Sequence, residues 1–484
     1  MKAIAILTVL VLISSQALGD QLFVGAASID ITPEKPVALR GSFHKRISTK
    51  VESPLTANAV AIETRDGDRP IDQTVIVSCD TISIPTDLLA LVREEVGKRV
   101  SELDTKKIFL AGTHTHTAPE LTLGRWGLPE KGVMPIEDYR AYFVRRLAEA
   151  IERAWKARKA GSVTWGLSHA VVAQNRRAVY ADGSAQMYGK TDGPEFRGLE
   201  GYEDHDIGTM FFWNGGDNPT AVIVNVSCPS QEVESHRTVN ADFWHPVRVA
   251  LRKRFGEGCC VVGLCGAAGD QSPHLMYRKV AEERMRKLRG LDRLDEIARR
   301  IVAAVDDAYG AVKDDRYNDV PLIHKVETLV LPKRLVTEDE YVDAKATVES
   351  AKAKLKENPK ANSQDIRRAK WYQTTVDRFE RQKVEPNPMT AMELHVVRIG
   401  DAVICTNQFE LFTDYGIRIK GRSKAEQTFV AQLVGPGTYL PTARAVRGGH
   451  YSAVVHSSQV GPKGGQVLVD RTVELIDSMW ADEK

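Results

Sequence analysis

The sequence predicts a mixed α/β fold, on three observations. Short apolar runs rich in β-branched residues recur at residues 74–79, 108–111, 221–226, 259–264 and 402–405. The segments between them carry helical rather than alternating periodicity, the pattern of a sheet covered by helices. The composition is that of a chain with a substantial core: 484 residues, 43% hydrophobic and 27% charged. A length of this order allows two to four domains or one large elaborated domain, because single cores stop growing at about 250 to 300 residues.

Taken in chain order, the first signal is a leader. Lys2 supplies a short positive region, residues 3–13 an apolar run, and Ala17-Leu18-Gly19 a small-x-small cleavage site. Residues 1–19 therefore read as a secretory signal peptide, with Asp20 as the mature start and a secreted or periplasmic location. The apolar run is too short to span a bilayer, and no later run is longer, so no transmembrane segment is expected. The strand-like runs at 74–79 and 108–111 follow. At 136–159, Tyr139, Phe143, Leu147, Ile151 and Trp155 recur every four residues with Gly161 just beyond. This is an amphipathic helix whose stripe packs on a sheet.

Residues 337–383 shift to Glu, Lys, Asp, Ala and Arg, with a break at Asn358-Pro359, and predict two charged antiparallel helices inserted on the surface as a solvated face. Residues 392–397 and 402–406, joined at Gly400-Asp401, predict a hairpin returning to the core. No internal repeat is visible. The six cysteines lie in or beside apolar runs with no CxxC pairing, which predicts buried thiols. The 66 Lys plus Arg against 64 Asp plus Glu leave a formal charge of +2. No basic surface suited to nucleic acid follows, and nucleic acid is excluded as a partner.

Several polar motifs follow apolar strands, where α/β proteins place their ligands. In Thr113-His114-Thr115-His116, extended backbone would put both imidazoles on one side at the strand's carboxyl end, able to grip or flank a metal. The stretch from Gly266 to Pro273 is small-residued up to Gly269-Asp270-Gln271-Ser272 and would hold a hydroxyl at a loop tip. It is neither a phosphate loop nor the GxSxG elbow of α/β hydrolases. Asn407-Gln408-Phe409-Glu410 offers a carboxylate; Tyr439 and Tyr451 flank a Gly-Pro-rich loop; Asn175-Arg176-Arg177 closes a short strand.

In combination, these motifs, preceded by Gly25-Ala26-Ala27-Ser28-Ile29-Asp30-Ile31-Thr32-Pro33, resemble the neutral ceramidase family in content and order. The resemblance runs from about Leu22 to near the C-terminus, so residues 20–484 are expected to form one ceramidase-like catalytic domain with the 337–383 hairpin inserted. The immunoglobulin-like domain that follows it in full-length members is not expected here. Neutral ceramidases are zinc amidases that cleave the N-acyl bond of ceramide. The resemblance implies a Zn2+ site with His114, Glu410 and Tyr439 as ligands, and Ser272, His116, Arg176 and Tyr451 as catalytic residues.

One departure stands out. The family places a further zinc histidine after a strand where this chain reads Asn225-Val226-Ser227-Cys228-Pro229-Ser230-Gln231. His236 is the expected replacement, because neutral imidazole suits zinc, with Cys228 and Gln231 behind it. The function expected is that of an exported zinc-dependent amide hydrolase acting on an N-acylsphingosine or related small-molecule or lipid substrate. Two alternatives stay open. One is a hydrolase of a polar N-acyl or ester substrate such as an acylated amino sugar; the other is a non-catalytic binding protein on the same scaffold. Oligomeric state is not readable from the sequence.

Overall fold

Strands buried on both faces need cover on both sides, and three sheets of such strands organise the chain. The computed structural model describes residues 21–126, 130–357 and 363–481. The expected signal peptide at residues 1–19 and the break at Asn358-Pro359 lie outside the described residues.

The first sheet pairs Gln21–Asp30, Thr56–Asp66 and Arg69–Cys79 antiparallel, then adds Ile108–Gly112 parallel to the third strand. The second repeats this plan with Ser162–His169, Asp206–Trp213, Ala221–Val226 and a parallel Cys260–Cys265. The third repeats it with Leu322–Pro332, Met389–Ile399, Ala402–Thr406 and a parallel Gln427–Ala431. A parallel pair needs a crossover. In the three sheets it is the helix Thr86–Arg99, Trp244–Phe255 or Thr413–Arg422. After each fourth strand comes a longer helix, Ile136–Lys156, Arg293–Val312 or Pro462–Asp477, which packs back on its own sheet.

The chain is therefore a threefold repetition of one topology, although no repeat is visible in the sequence. What recurs is strand order and apolar alternation, and many different sequences satisfy both. Along the first sheet, Ala59, Ala61, Val75 and Val77 face the helices, whereas Val60, Ile62 and Ile76 face inward. The inward residues share one core with Met210, Ile223 and Val262 of the second sheet and Val397, Ile404 and Phe429 of the third. Three sheets thus meet face to face at the centre, each with two helices outside.

Each unit also carries an irregular segment between its first and second strands: residues 31–55, 170–205 and 333–388. The third holds the charged helices, Glu338–Glu357 and Ser363–Val384. The expectation of a solvated surface insertion is corrected in part. Phe379 packs with Val336 and Val455, and the Arg378 guanidinium donates to the carbonyls of Val455 and Arg334 at 2.8 and 2.7 Å. The hairpin is docked because its charged sequence contains this apolar and aromatic minority on one side. All six cysteines are buried and unpaired, as expected.

Candidate active site

The carboxyl ends of the parallel strand pairs bring loops from all three units together. In the first unit, the Thr113 hydroxyl donates to Asp80 at 3.2 Å. The fully buried Asp80 carboxylate is itself clamped by Arg248 at 2.6 and 2.9 Å. The chain then turns sharply: His114 has φ 69°, a left-handed conformation uncommon outside glycine. This turn, rather than continued extended alternation, brings the His114 and His116 rings to 4.8 Å.

Each imidazole has one nitrogen tied to backbone. His114 Nδ1 lies 2.9 Å from the Ile82 carbonyl, so Nδ1 carries the proton and the Nε2 lone pair is directed at Glu410, 3.6 Å away. His116 Nδ1 lies 3.0 Å from the Gly41 carbonyl and 3.2 Å from the Glu234 carboxylate. Its buried Nε2 has no hydrogen-bond partner among the described residues.

In the third unit, Glu410 begins a two-residue strand, Glu410–Leu411, whose parallel ladder with Tyr439–Leu440 sets Glu410 opposite Tyr439. Tyr439 meets Tyr451 edge-on at 5.4 Å. From the second unit, Arg176 donates to the Tyr439 hydroxyl at 3.2 Å, to the Gly269 carbonyl at 2.9 Å and to the Tyr188 hydroxyl at 3.3 Å. The sequence-predicted residues His114, His116, Arg176, Glu410, Tyr439 and Tyr451 are thus assembled in one place.

Burial dominates the electrostatics. It lowers the His114 pKa well below its ordinary value, with His116 adding to the effect, so the imidazole is neutral. It raises the Glu410 carboxyl, against the pull of the Arg176 charge. It pushes Tyr439 well up, helped by Glu410, and Tyr451 to about 12. Burial opposes the Arg176 charge, yet Tyr439, Tyr188 and Glu410 hold its pKa well above the usual one. The result is a fixed cation beside two neutral phenols.

Ser272 stands behind this group. It is fully buried on the short strand Gln271–Ser272, which pairs with Gln174–Asn175. The Tyr188 hydroxyl donates to its Oγ at 3.0 Å and the His274 backbone N–H at 3.1 Å. Tyr188, itself at φ 55°, therefore links Ser272 to Arg176.

His236 is not brought to the site. Its half-exposed ring is 3.3 Å from Glu52 and lines a separate cavity with Asn240 and Asp242. The loop after Val226 reverses direction, carrying Gln231 inward and His236 outward. Arg46 is wedged between, donating to the carbonyls of both His236 (2.8 Å) and His116 (2.6 Å). The Cys228 thiol donates at 3.5 Å to the carbonyl of Pro229, and burial raises its pKa well above the ordinary value. Of the three replacements considered for the missing histidine, Gln231 alone reaches the assembly, donating to Tyr188 at 2.6 Å.

Among the described residues no group of three His, Cys, Asp or Glu side chains is arranged to hold a metal. His114 and Glu410 supply two such donors and Tyr439 a phenol. Donors each about 2.1 Å from one tetrahedral ion stand about 3.4 Å apart, so the 3.6 Å between His114 Nε2 and Glu410 suits two ligands of one ion. An imidazole nitrogen and a carboxylate oxygen are both donors that zinc accepts, and the parallel ladder sets the Tyr439 phenol beside them, opposite Glu410.

The site opens into a cavity of about 460 Å³ lined by His114, His116, Glu410, Tyr439 and Tyr451, by Arg40 and Phe43 of the first inserted segment, by Arg125, and by Lys370 and Trp371 of the third. Ser272 is not among the described residues that line it. Tyr188, Glu234, Arg40 and Trp371 were not singled out from the sequence. Only Trp371-Tyr372, an aromatic pair within a charge-rich helix, left a signal there.

The sequence matches no family profile and no curated protein. The fold does have counterparts among solved structures, and they define its class: it is the fold of the neutral ceramidases. A crystal structure of neutral ceramidase from Pseudomonas aeruginosa superposes with a TM-score of 0.69 at 17% identity, over 95% of this chain and 75% of that one. A ceramidase complexed with C2 superposes with a TM-score of 0.66 at 14% identity, over 95% and 76% of the two chains.

Proposed function

We propose that this chain is an exported, zinc-dependent hydrolase of an amide bond, with the ion held by His114, Glu410 and Tyr439. The observation that carries this reading is the neutral His114 Nε2 directed at the buried Glu410 carboxylate, 3.6 Å away, at the head of a cavity. Bound there, zinc would supply a Lewis acid for the substrate carbonyl and lower the pKa of a coordinated water. The shared ceramidase fold supports the assignment to amide chemistry.

The protein's own groups have separable tasks. Arg176 and Tyr451 are the donors for negative charge developing on the carbonyl oxygen, at a site where burial strengthens each hydrogen bond. His116, with its proton fixed on Nδ1, keeps Nε2 available to take a proton and deliver it to the leaving amine. Tyr188 and Gln231 hold the Ser272 hydroxyl in place.

The test is hydrolysis of N-acyl amides by purified protein before and after chelation. Activity that disappears with chelator and returns with zinc supports the reading; activity indifferent to both overturns the metal assignment. Mass analysis of the exported protein should find Asp20 at its N-terminus.

A further inference from the structure

The three inserted segments occupy equivalent places in the three units, and each sends side chains to the same site. The first supplies Arg40 and Phe43 and the third Lys370 and Trp371 to the cavity wall, while the second supplies Arg176 and Tyr188, which bond to Tyr439 and Ser272. The charged hairpin is therefore the third wall of the site. Trp371 packs against Phe43 at 5.6 Å and Tyr451 at 5.9 Å. Because Tyr451 in turn contacts Tyr439, a continuous aromatic surface runs from the hairpin to the candidate metal donors.

The charge on the walls is one-sided. Arg40, Arg125 and Lys370 line the cavity, and the carboxylate among its lining residues is Glu410, assigned above to the metal. Glu120 pairs with both arginines, at 3.1 and 2.9 Å, so among the described residues three cations face two carboxylates, Glu120 and Glu410, and an excess of positive charge remains. A cavity of about 460 Å³ takes a ligand of ordinary small-molecule size. A neutral lipid with two long chains would leave this excess of positive charge without a partner and most of its own bulk outside.

Resting on the hydrolase reading above, we propose that the site selects a compact N-acyl amide bearing an anionic group, with Trp371 as a specificity-determining residue that limits length and Lys370 as one that favours the anion. The scissile amide lies toward His114 and Glu410, the body of the substrate against the Trp371, Phe43 and Tyr451 rings, and the anion toward the cationic rim.

The test compares zinc-loaded protein on three substrates: a short-chain N-acyl amino acid, the same compound with its carboxylate converted to a neutral carboxamide, and a long-chain N-acylsphingosine. The expected kcat/KM favours the anionic amide over its neutral twin by about tenfold, as for one charge-assisted contact. Lys370→Gln should shrink that preference mainly through KM, and Trp371→Ala should raise relative activity on longer acyl chains. Equal use of the twins, or preference for the N-acylsphingosine that Trp371→Ala leaves unchanged, overturns the proposal. Calorimetric binding of the anionic amide and its twin separates the two readings. Selective binding without turnover removes the hydrolase and keeps the selectivity; absence of both selective binding and turnover removes both.

Discussion

A Cβ on Gly269 would sit 2.2 Å from the backbone oxygen of Glu410, and neither backbone can give way without moving a candidate metal donor. Gly269→Ala should therefore cost about 1–3 kcal/mol of stability through overpacking. It should also lower activity by about 10²-fold, the usual effect of an ångström's misplacement at a reacting centre. Thermal unfolding together with kcat/KM checks both effects. Gly41 plays the same part under His116, whose ring lies 2.6 Å from where a side chain would start, at φ 91°. A second residue-scale prediction concerns Glu232, whose carboxyl is pushed up by burial to about 7 despite Arg293 and His274. Because the folded value exceeds the ordinary 4.5, this group's stabilisation is full below about pH 4.5 and is lost as pH rises through about 7. Glu232→Gln should flatten the fall in melting temperature between about pH 5 and pH 8. A fall as steep as the parent's would contradict the assignment. His114 and Glu410 each follow an apolar strand and Tyr439 borders a Gly-Pro-rich loop, but it was the family resemblance that grouped the three, and the structure brings them to one place. The position of His236 could not be read from the sequence, since one reversal of a loop decides whether a side chain points in or out, and that reversal depends on Arg46, far away in sequence.

At the scale of elements, the apolar runs gave strand positions to within a few residues because buried strands tolerate little else. The helix expected at 136–159 ends at Lys156, and residues 159–160 pair with the first strand instead. The hairpin helices were equally legible, but their docking was not. Its apolar contacts come from scattered residues in a charged background, and the partner, Val455, is more than seventy positions away from Phe379. Phe379→Ala should remove about 3 kcal/mol from this contact. Hydrogen exchange should then accelerate across Glu338–Glu357 and Ser363–Val384 while the central strands stay protected. Uniform acceleration everywhere would mean that the hairpin is integral to the core rather than hung on its edge.

At the scale of the molecule, three units of the same topology donate their inner faces to one core, so none of them has a complete core alone. Unfolding should be a single calorimetric transition rather than three, and Ile404→Ala, at the centre of that core, should shift it as a whole at a cost of about 2–5 kcal/mol. The threefold arrangement also accounts for the site. The parallel strand pair of every unit ends at the same place, and the loops there carry the histidines from the first unit, Gln231 and Ser272 from the second, and Glu410 and Tyr439 from the third. The resemblance implied that these residues share a site, but the threefold basis of their convergence was not readable from the sequence, which retains the strand pattern of each unit but no residue-by-residue likeness among the three.

Convergence on a metal is most directly tested by the zinc content of protein equilibrated with the ion and then desalted. The account predicts about one zinc per chain in the parent and in His236→Ala, and its loss in His114→Ala and Glu410→Gln with the fold intact by circular dichroism. Full zinc retention in the His114 and Glu410 variants, or its loss in His236→Ala alone, would contradict it.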